Sequence, residues 1–178
     1  SGIRAVRQLG LDAMELEFVQ SVNISKENAP KIKAVAEKEN VVLTCHAPYY
    51  INLNAAEDAK LEASKKRLIK AAEVAWLCGA KSVAFHPGYY LGMDKDKVYE
   101  KVKQQLKMVV AELKDAGCGI WVRPETTGKR SQFGDLHEIL RLCSEIDNVR
   151  PCIDYAHMHA RESNNNSHNE FREILVAV

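Results

Sequence analysis

The sequence has no run near the roughly 20 consecutive apolar residues of a membrane-spanning helix, and its first residues lack a signal peptide's charged-then-apolar pattern. A soluble, cytoplasmic protein with no membrane partner is expected. Its five cysteines form no Cys-x-x-Cys pair; Cys45, Cys78, Cys118, Cys143 and Cys152 each lie in or beside an apolar segment, as reduced interior thiols do. Disulfides and a structural zinc knuckle are not indicated. Neither sign of charge dominates, and a formal net charge of +1 leaves no electrostatic footprint of a nonspecific nucleic-acid binder. A small basic rim around one cleft remains compatible with that balance. No G-x-G-x-x-G or G-x-x-x-x-G-K-[ST] follows an apolar run, which weakens a nucleotide-binding open sheet.

What is present is enough for one core. With 178 residues, 46% of them hydrophobic, the chain suits a single domain over residues 1–178 and is short for two. Residues 1–9 have helical apolar spacing and stop at Gly10. Ala13 to Val19 alternates apolar and acidic residues like a strand, and a helix follows from about Pro30. Val41 to Cys45 is a second, β-branched strand ending at His46. A long helix from about Glu57 to Leu77, with Leu61, Leu68, Ala72, Ala75 and Trp76 facing inward, closes at Gly79.

Lys81 to Phe85 is the next strand and ends at His86, and another long helix runs from about Lys95 to Ala116. The run Gly119-Ile120-Trp121-Val122 leads to Glu125, and a shorter helix starts near Asp135 with Leu136, Ile139, Leu140 and Cys143 on its apolar side. Val149 to Ile153 is the last strand, ending in Asp154-Tyr155-Ala156-His157. The polar stretch Ser163 to Ser167 reads as an exposed or mobile loop, and a final helix begins near Asn169 with Phe171, Ile174 and Leu175 on its apolar side.

Strands alternating with helices imply a parallel α/β sheet, because parallel strands need crossover connections. The strand ends Glu17, His46, His86, Glu125 and Asp154 recur at roughly 30 to 40 residues, about one unit of a (β/α) TIM-type barrel. Such a barrel opens all these ends on one face. About five of its eight β/α units are visible, so an incomplete barrel is expected.

His46, His86, Glu125, Asp154 and His157 form a mixed imidazole and carboxylate set of the kind zinc takes, with manganese or iron also compatible. A lone histidine at a strand end is more often structural; metal-type residues at successive ends of one face reverse that balance. Glu15 and Glu17 read as the polar face of a strand. His159 reads as a solvent-facing loop residue, and His137 and His168 as surface residues. Tyr49-Tyr50 and Tyr89-Tyr90 follow two of the candidate ligands, where they suit either stacking on a sugar or base or packing around the barrel mouth.

Four stretches in order, His46-Ala47-Pro48-Tyr49-Tyr50-Ile51-Asn52-Leu53, Phe85-His86-Pro87-Gly88, Pro124-Glu125-Thr126-Thr127-Gly128 with Gln132 and Gly134, and Cys152-Ile153-Asp154-Tyr155-Ala156-His157, resemble the endonuclease IV family of apurinic/apyrimidinic endonucleases, within the xylose-isomerase-like TIM barrels. The resemblance implies a monomeric zinc endodeoxyribonuclease that cleaves DNA 5′ to abasic sites. It implies two to three zinc ions in the intact protein: His46 and His86 on the first, Glu125 bridging to the second, Asp154 on the second and His157 on the third. Glu125 is then the catalytic residue, and Tyr49 the DNA-binding residue that helps wedge the duplex open. The family's first strand and its later ligand-bearing strands have no counterpart in these residues. The loop Gln20-Ser21-Val22-Asn23 offers no arginine where some members insert one.

Two other readings compete. A divalent-metal sugar isomerase or epimerase of the same barrel group would resemble this chain at Glu125, Asp154 and His157 and leave His46 or His86 to substrate or structure. A metal-free DNA-binding or scaffold fragment would bind no ion at all.

Overall fold

The computed structural model describes residues 2–163 and 167–178. In chain order, α1 (Gly2–Gln8) leads to β1 (Ala13–Glu17), α2 (Ala29–Glu39), β2 (Val42–His46), α3 (Asp58–Leu77), β3 (Ser82–Phe85) and β4 (Gly88–Tyr89). Then come α4 (Lys95–Asp115), β5 (Trp121–Pro124), β6 (Gln132–Phe133), α5 (Leu136–Glu145), α6 (Tyr155–Glu162) and α7 (His168–Ala177). The strands β1, β2, β3 and β5 pair in that order as a parallel sheet. Residues 149–152 extend it only by isolated bridges, Val122 with Val149 and Glu125 with Cys152. The tiny β4 and β6 pair antiparallel above one end.

Alternation decides which face of each strand is covered. Leu16, Leu43, Cys45, Val83, Phe85 and Val122 join residues of α3 and α4, among them Leu68, Ala72, Val98, Val102 and Leu106, in one buried cluster. The opposite face carries Glu15, Glu17, Thr44, His46 and Arg123, and stays at least partly open. Helices need clean stops for this layering. Gly79 and Gly117, at φ of +83° and +69°, supply left-handed turns just after α3 and α4 that other residues adopt only with strain.

Several sequence expectations are corrected. Trp76 is not a core residue: it is 41% exposed and lies across Gly119, where an added Cβ would come 3.3 Å from its ring. The strand before Glu125 sits two residues later than the apolar run suggests, because Gly119 and Ile120 are spent on the approach. In α5 it is Ile139 and Leu142 that are buried, while Leu136, Leu140 and Cys143 are half-buried. In α7 only Ile174 is buried; Leu175 is 68% exposed, and Phe171 packs instead on Tyr155 with ring centres 5.0 Å apart. Residues 155–157 are the first turn of α6 rather than a strand end, and His159 is an exposed helical residue, not a loop one. Of the polar stretch after α6, residues 164–166 lie outside the described set; Ser163 ends α6 and Ser167 caps α7.

Two asparagines lock the loops that follow β2 and β3. Asn54 Nδ2 donates to the Tyr89 carbonyl at 2.8 Å, Asn52 Oδ1 accepts from the Asn54 and Tyr89 amides at 3.0 and 3.4 Å, and Leu53 N donates to the Pro87 carbonyl at 2.8 Å. Gly88 lies against Asn52 so closely, at φ of +146°, that no side chain fits there.

Candidate metal centre

Parallel register brings the donors to one end of the sheet. Glu17 pairs with His46, His46 with Ala84 and Phe85 with Pro124, so His86 and Glu125 both emerge one residue beyond matched strand ends. The amide of Glu125 donates to the Phe85 carbonyl at 2.9 Å, which fixes its backbone to β3. The residue is buried at 6% exposure, and its side chain faces three imidazoles. His46 Nε2 lies 3.1 Å from Oε2, while His86 Nε2 and His157 Nδ1 lie 3.5 and 3.2 Å from Oε1. The His86 ring stands edge-on to both neighbours, with centres 5.4 Å from His46 and 5.3 Å from His157.

Asp154 arrives by another route. One of its oxygens accepts from the His157 amide at 2.7 Å as the N-cap of α6, leaving Oδ2 3.5 Å from His157 Nδ1. Thr126 anchors it, since the Asp154 amide donates to Thr126 Oγ1 at 2.9 Å.

These spacings suit a cation. Donors around a tetrahedral ion with bonds of about 2.05 Å stand about 3.3 Å apart, the middle of the spacings seen around Glu125. Two groups, His46-His86-Glu125 and Glu125-Asp154-His157, each keep their ligand atoms within 4.8 Å of one another, with Glu125 common to both. The tautomer of His46 adds an independent reason. Its Nδ1 lies 2.7 Å from the Ala47 carbonyl, which can only accept, so Nδ1 carries the hydrogen and Nε2 turns its lone pair on a carboxylate oxygen. Lone pair against lone pair is repulsive unless a proton or a cation lies between. His157 Nδ1 likewise meets only acceptors: the Thr126 carbonyl at 3.0 Å, Glu125 and Asp154.

The ionisation of the metal-free centre follows. Burial raises the Glu125 pKa, yet hydrogen bonds from His46 and His86 outweigh burial and hold it at about 2. Burial pushes His46 down, and its bonds to Glu125 and the Ala47 carbonyl outweigh this and raise it above its ordinary value. Proton and cation therefore compete for one lone pair. The resemblance assigns Asp154 and His157 to different ions, whereas the geometry gathers both with Glu125 around one point.

The cleft here, about 540 Å³, is lined by all five candidate ligands, by Tyr49 and also by Glu15 and Glu17. Alternation alone marks the two acids as a strand's polar face. That face is the one His46 occupies, as the pairing of Glu17 with His46 makes plain. Burial, followed by a hydrogen bond to and repulsion by Glu17, raises the pKa of Glu15, whose Oε2 also accepts from Thr44 Oγ1 at 3.3 Å. Tyr49 is 54% exposed at the mouth, its ring 5.9 Å from His46 and 6.2 Å from His86. Tyr90, by contrast, is buried and donates to Glu138.

The sequence of residues 3–178 matches the family model described as xylose isomerase-like TIM barrel. An uncharacterised protein of Methanocaldococcus jannaschii is 44% identical over 177 residues, 99% of this chain and 63% of its own length. A probable endonuclease 4 of Ureaplasma urealyticum is 30% identical over 121 residues, 65% of this chain and 39% of its own. Among solved structures, endonuclease IV from Thermus thermophilus superposes with a TM-score of 0.77 at 23% identity, covering 99% of this chain and 64% of that one. D-psicose 3-epimerase from Clostridium cellulolyticum gives 0.75 at 18% identity, with 99% and 64% covered. The chain thus spans less than two thirds of the length of each of these relatives.

Proposed function

The chain belongs to the xylose isomerase-like TIM barrels, and from that premise we propose that the whole protein is a zinc-dependent endodeoxyribonuclease that cuts DNA on the 5′ side of abasic sites, acting as a monomer. One observation carries the reading: both His46 and His86 turn a ring nitrogen on Glu125, at 3.1 and 3.5 Å. A sugar isomerase of the same barrel type would leave one or both to substrate or structure. Relatives named endonuclease 4 point the same way.

His46, His86 and Glu125 would hold one zinc ion, and Glu125, Asp154 and His157 a second. Paired ions in such a cage supply Lewis-acid activation of water and charge neutralisation for in-line phosphoryl displacement. The chain's own residues prepare for that. Glu125, ionised and buried, turns Oε2 to His46 and Oε1 to both His86 and His157 without waiting for a proton to leave. The Ala47 carbonyl holds the His46 ring so that Nε2 faces the carboxylate. Tyr49, exposed at the mouth, presents a flat ring to a nucleotide turned out of the stack.

Incubation of the full-length protein with an abasic duplex oligonucleotide, with and without chelator, tests the reading. Incision that zinc restores after chelation is expected; no incision, together with turnover of a ketose, overturns it. The alternative, a divalent-metal sugar isomerase or epimerase, draws on the Glu125-Asp154-His157 group, which suffices for a single ion.

A further inference from the structure

Behind the centre lies a buried charge that the chemistry above does not use. Arg161, one helical turn after His157 on α6, is 6% exposed. Its Nη1 donates to the Lys129 carbonyl at 2.7 Å, the Gln132 carbonyl at 2.9 Å and Thr127 Oγ1 at 3.2 Å. Nη2 donates to the Tyr90 hydroxyl at 3.3 Å. That hydroxyl in turn donates to Glu138, whose Oε2 accepts from the Gly134 and Asp135 amides at 2.9 and 3.0 Å. The carboxylate that Arg161 itself meets, Glu162, is half-exposed and 3.7 Å away. Carbonyls and hydroxyls therefore satisfy this guanidinium, and an apolar side chain would bury similar area without burying a charge.

What the fork joins explains it. Lys129, Gln132 and Thr127 belong to the loop that starts at Glu125 and closes on itself where the Thr127 amide donates to the Gly134 carbonyl at 2.9 Å. Arg161 belongs to the helix that starts at Asp154. Each arm begins with donors of the second group, and the loop meets the helix at Gly128, where an added Cβ would stand 3.1 Å from His157 Cδ2. A backbone wall that close sets where the imidazole can go.

We propose that Arg161 is a positioning residue for the Glu125-Asp154-His157 half of the centre: its guanidinium staples the loop onto α6, holds Gly128 against the His157 ring and so fixes the distance from His157 to Glu125. This deepens the metal reading and rests on it for its consequence. His46 and His86 stand at the ends of β2 and β3, and the fork meets that side of the centre at Tyr90, four residues past His86.

The test uses the full chain and two readouts. In metal-free protein, imidazole nitrogen spectra are recorded for wild type, Arg161→Met, Arg161→Lys and Tyr90→Phe. His157 signals shift in Arg161→Met and move partway back in Arg161→Lys, while His46 signals stay in place. Cobalt(II) titration, followed by its visible spectrum, then shows the second ion weakened about tenfold in Arg161→Met and the first unchanged. If Arg161→Met does not fold, Arg161→Lys and Tyr90→Phe carry the same expectation with smaller shifts. Unmoved His157 signals, or equal weakening of both ions, overturn the proposal. Wild-type protein that takes up no cobalt sinks the metal reading alone, and the metal-free spectra still decide the role of Arg161.

Discussion

The two halves of the centre share Glu125 and differ in what carries them. His46 and His86 stand at the ends of β2 and β3, where backbone pairing fixes the register to β5. Asp154 and His157 ride on the first turn of α6, and both have other employment: Asp154 caps the helix, and His157 Nδ1 also faces the Thr126 carbonyl. The first half is organised by the sheet, the second by loop contacts and the Arg161 fork. A sheet-mounted group needs no rearrangement to accept an ion; a helix-mounted one must exchange partners. The comparison teaches that affinity in such a centre is set as much by what a donor must give up as by which donors are present.

The largest perturbation removes what the halves share. Glu125→Gln should abolish uptake of both ions by elemental analysis and lower incision by about 10³-fold, since several kcal/mol of charge stabilisation go with them. Separating the halves comes next. His46→Ala should weaken the tighter ion about a thousandfold by calorimetric titration, and His157→Ala only the weaker ion, about a hundredfold. Equal effects of the two would erase the distinction between sheet and helix.

Acidity sharpens the contrast further. In chelator, Glu125 is depressed to about 2, so its stabilising contribution is present above the ordinary carboxylate range and fades as pH falls toward 2. His46 is raised, so its contribution is complete below the ordinary imidazole value of 6.5 and fades as pH climbs through the folded value. The melting temperature without metal should therefore peak in mildly acid solution. With zinc the upper limb should reverse, because the ion displaces a proton from His46 and binds better as pH rises. A metal-bound protein that melts lower at pH 8 than at pH 6 would contradict this. The smallest effect belongs to Asp154→Ala: loss of the α6 cap should destabilise the metal-free chain by about 1 kcal/mol in urea unfolding.

Most of the sheet-mounted half was legible in sequence, because an apolar, β-branched run that stops at a histidine announces both a strand and its outward end. The parallel order and the helix limits followed from the same punctuation by Gly10, Gly79 and Gly117. The helix-mounted half belongs to a different element from the one its sequence suggests. Asp154 looks like a strand terminus because Val149 to Ile153 precedes it, and only the backbone reveals that its carboxylate already caps α6. Glu15 and Glu17 were visible as alternating acids, but alternation does not say which face is the open one until β2 is placed beside them. Arg161 carried no signal: buried guanidinium groups satisfied by carbonyls have no sequence signature. Trp76 misled for a related reason, since helical spacing cannot tell the core from the backbone of Gly119.

The clasp of Asn52 and Asn54 on the Pro87 to Tyr89 backbone couples the segment that carries Tyr49 to the one that leaves His86. The stitch admits nothing larger than hydrogen at Gly88. Whatever enters the mouth and displaces Tyr49 must therefore tug on the chain just past His86, so this side of the rim should respond to a guest as a single jaw.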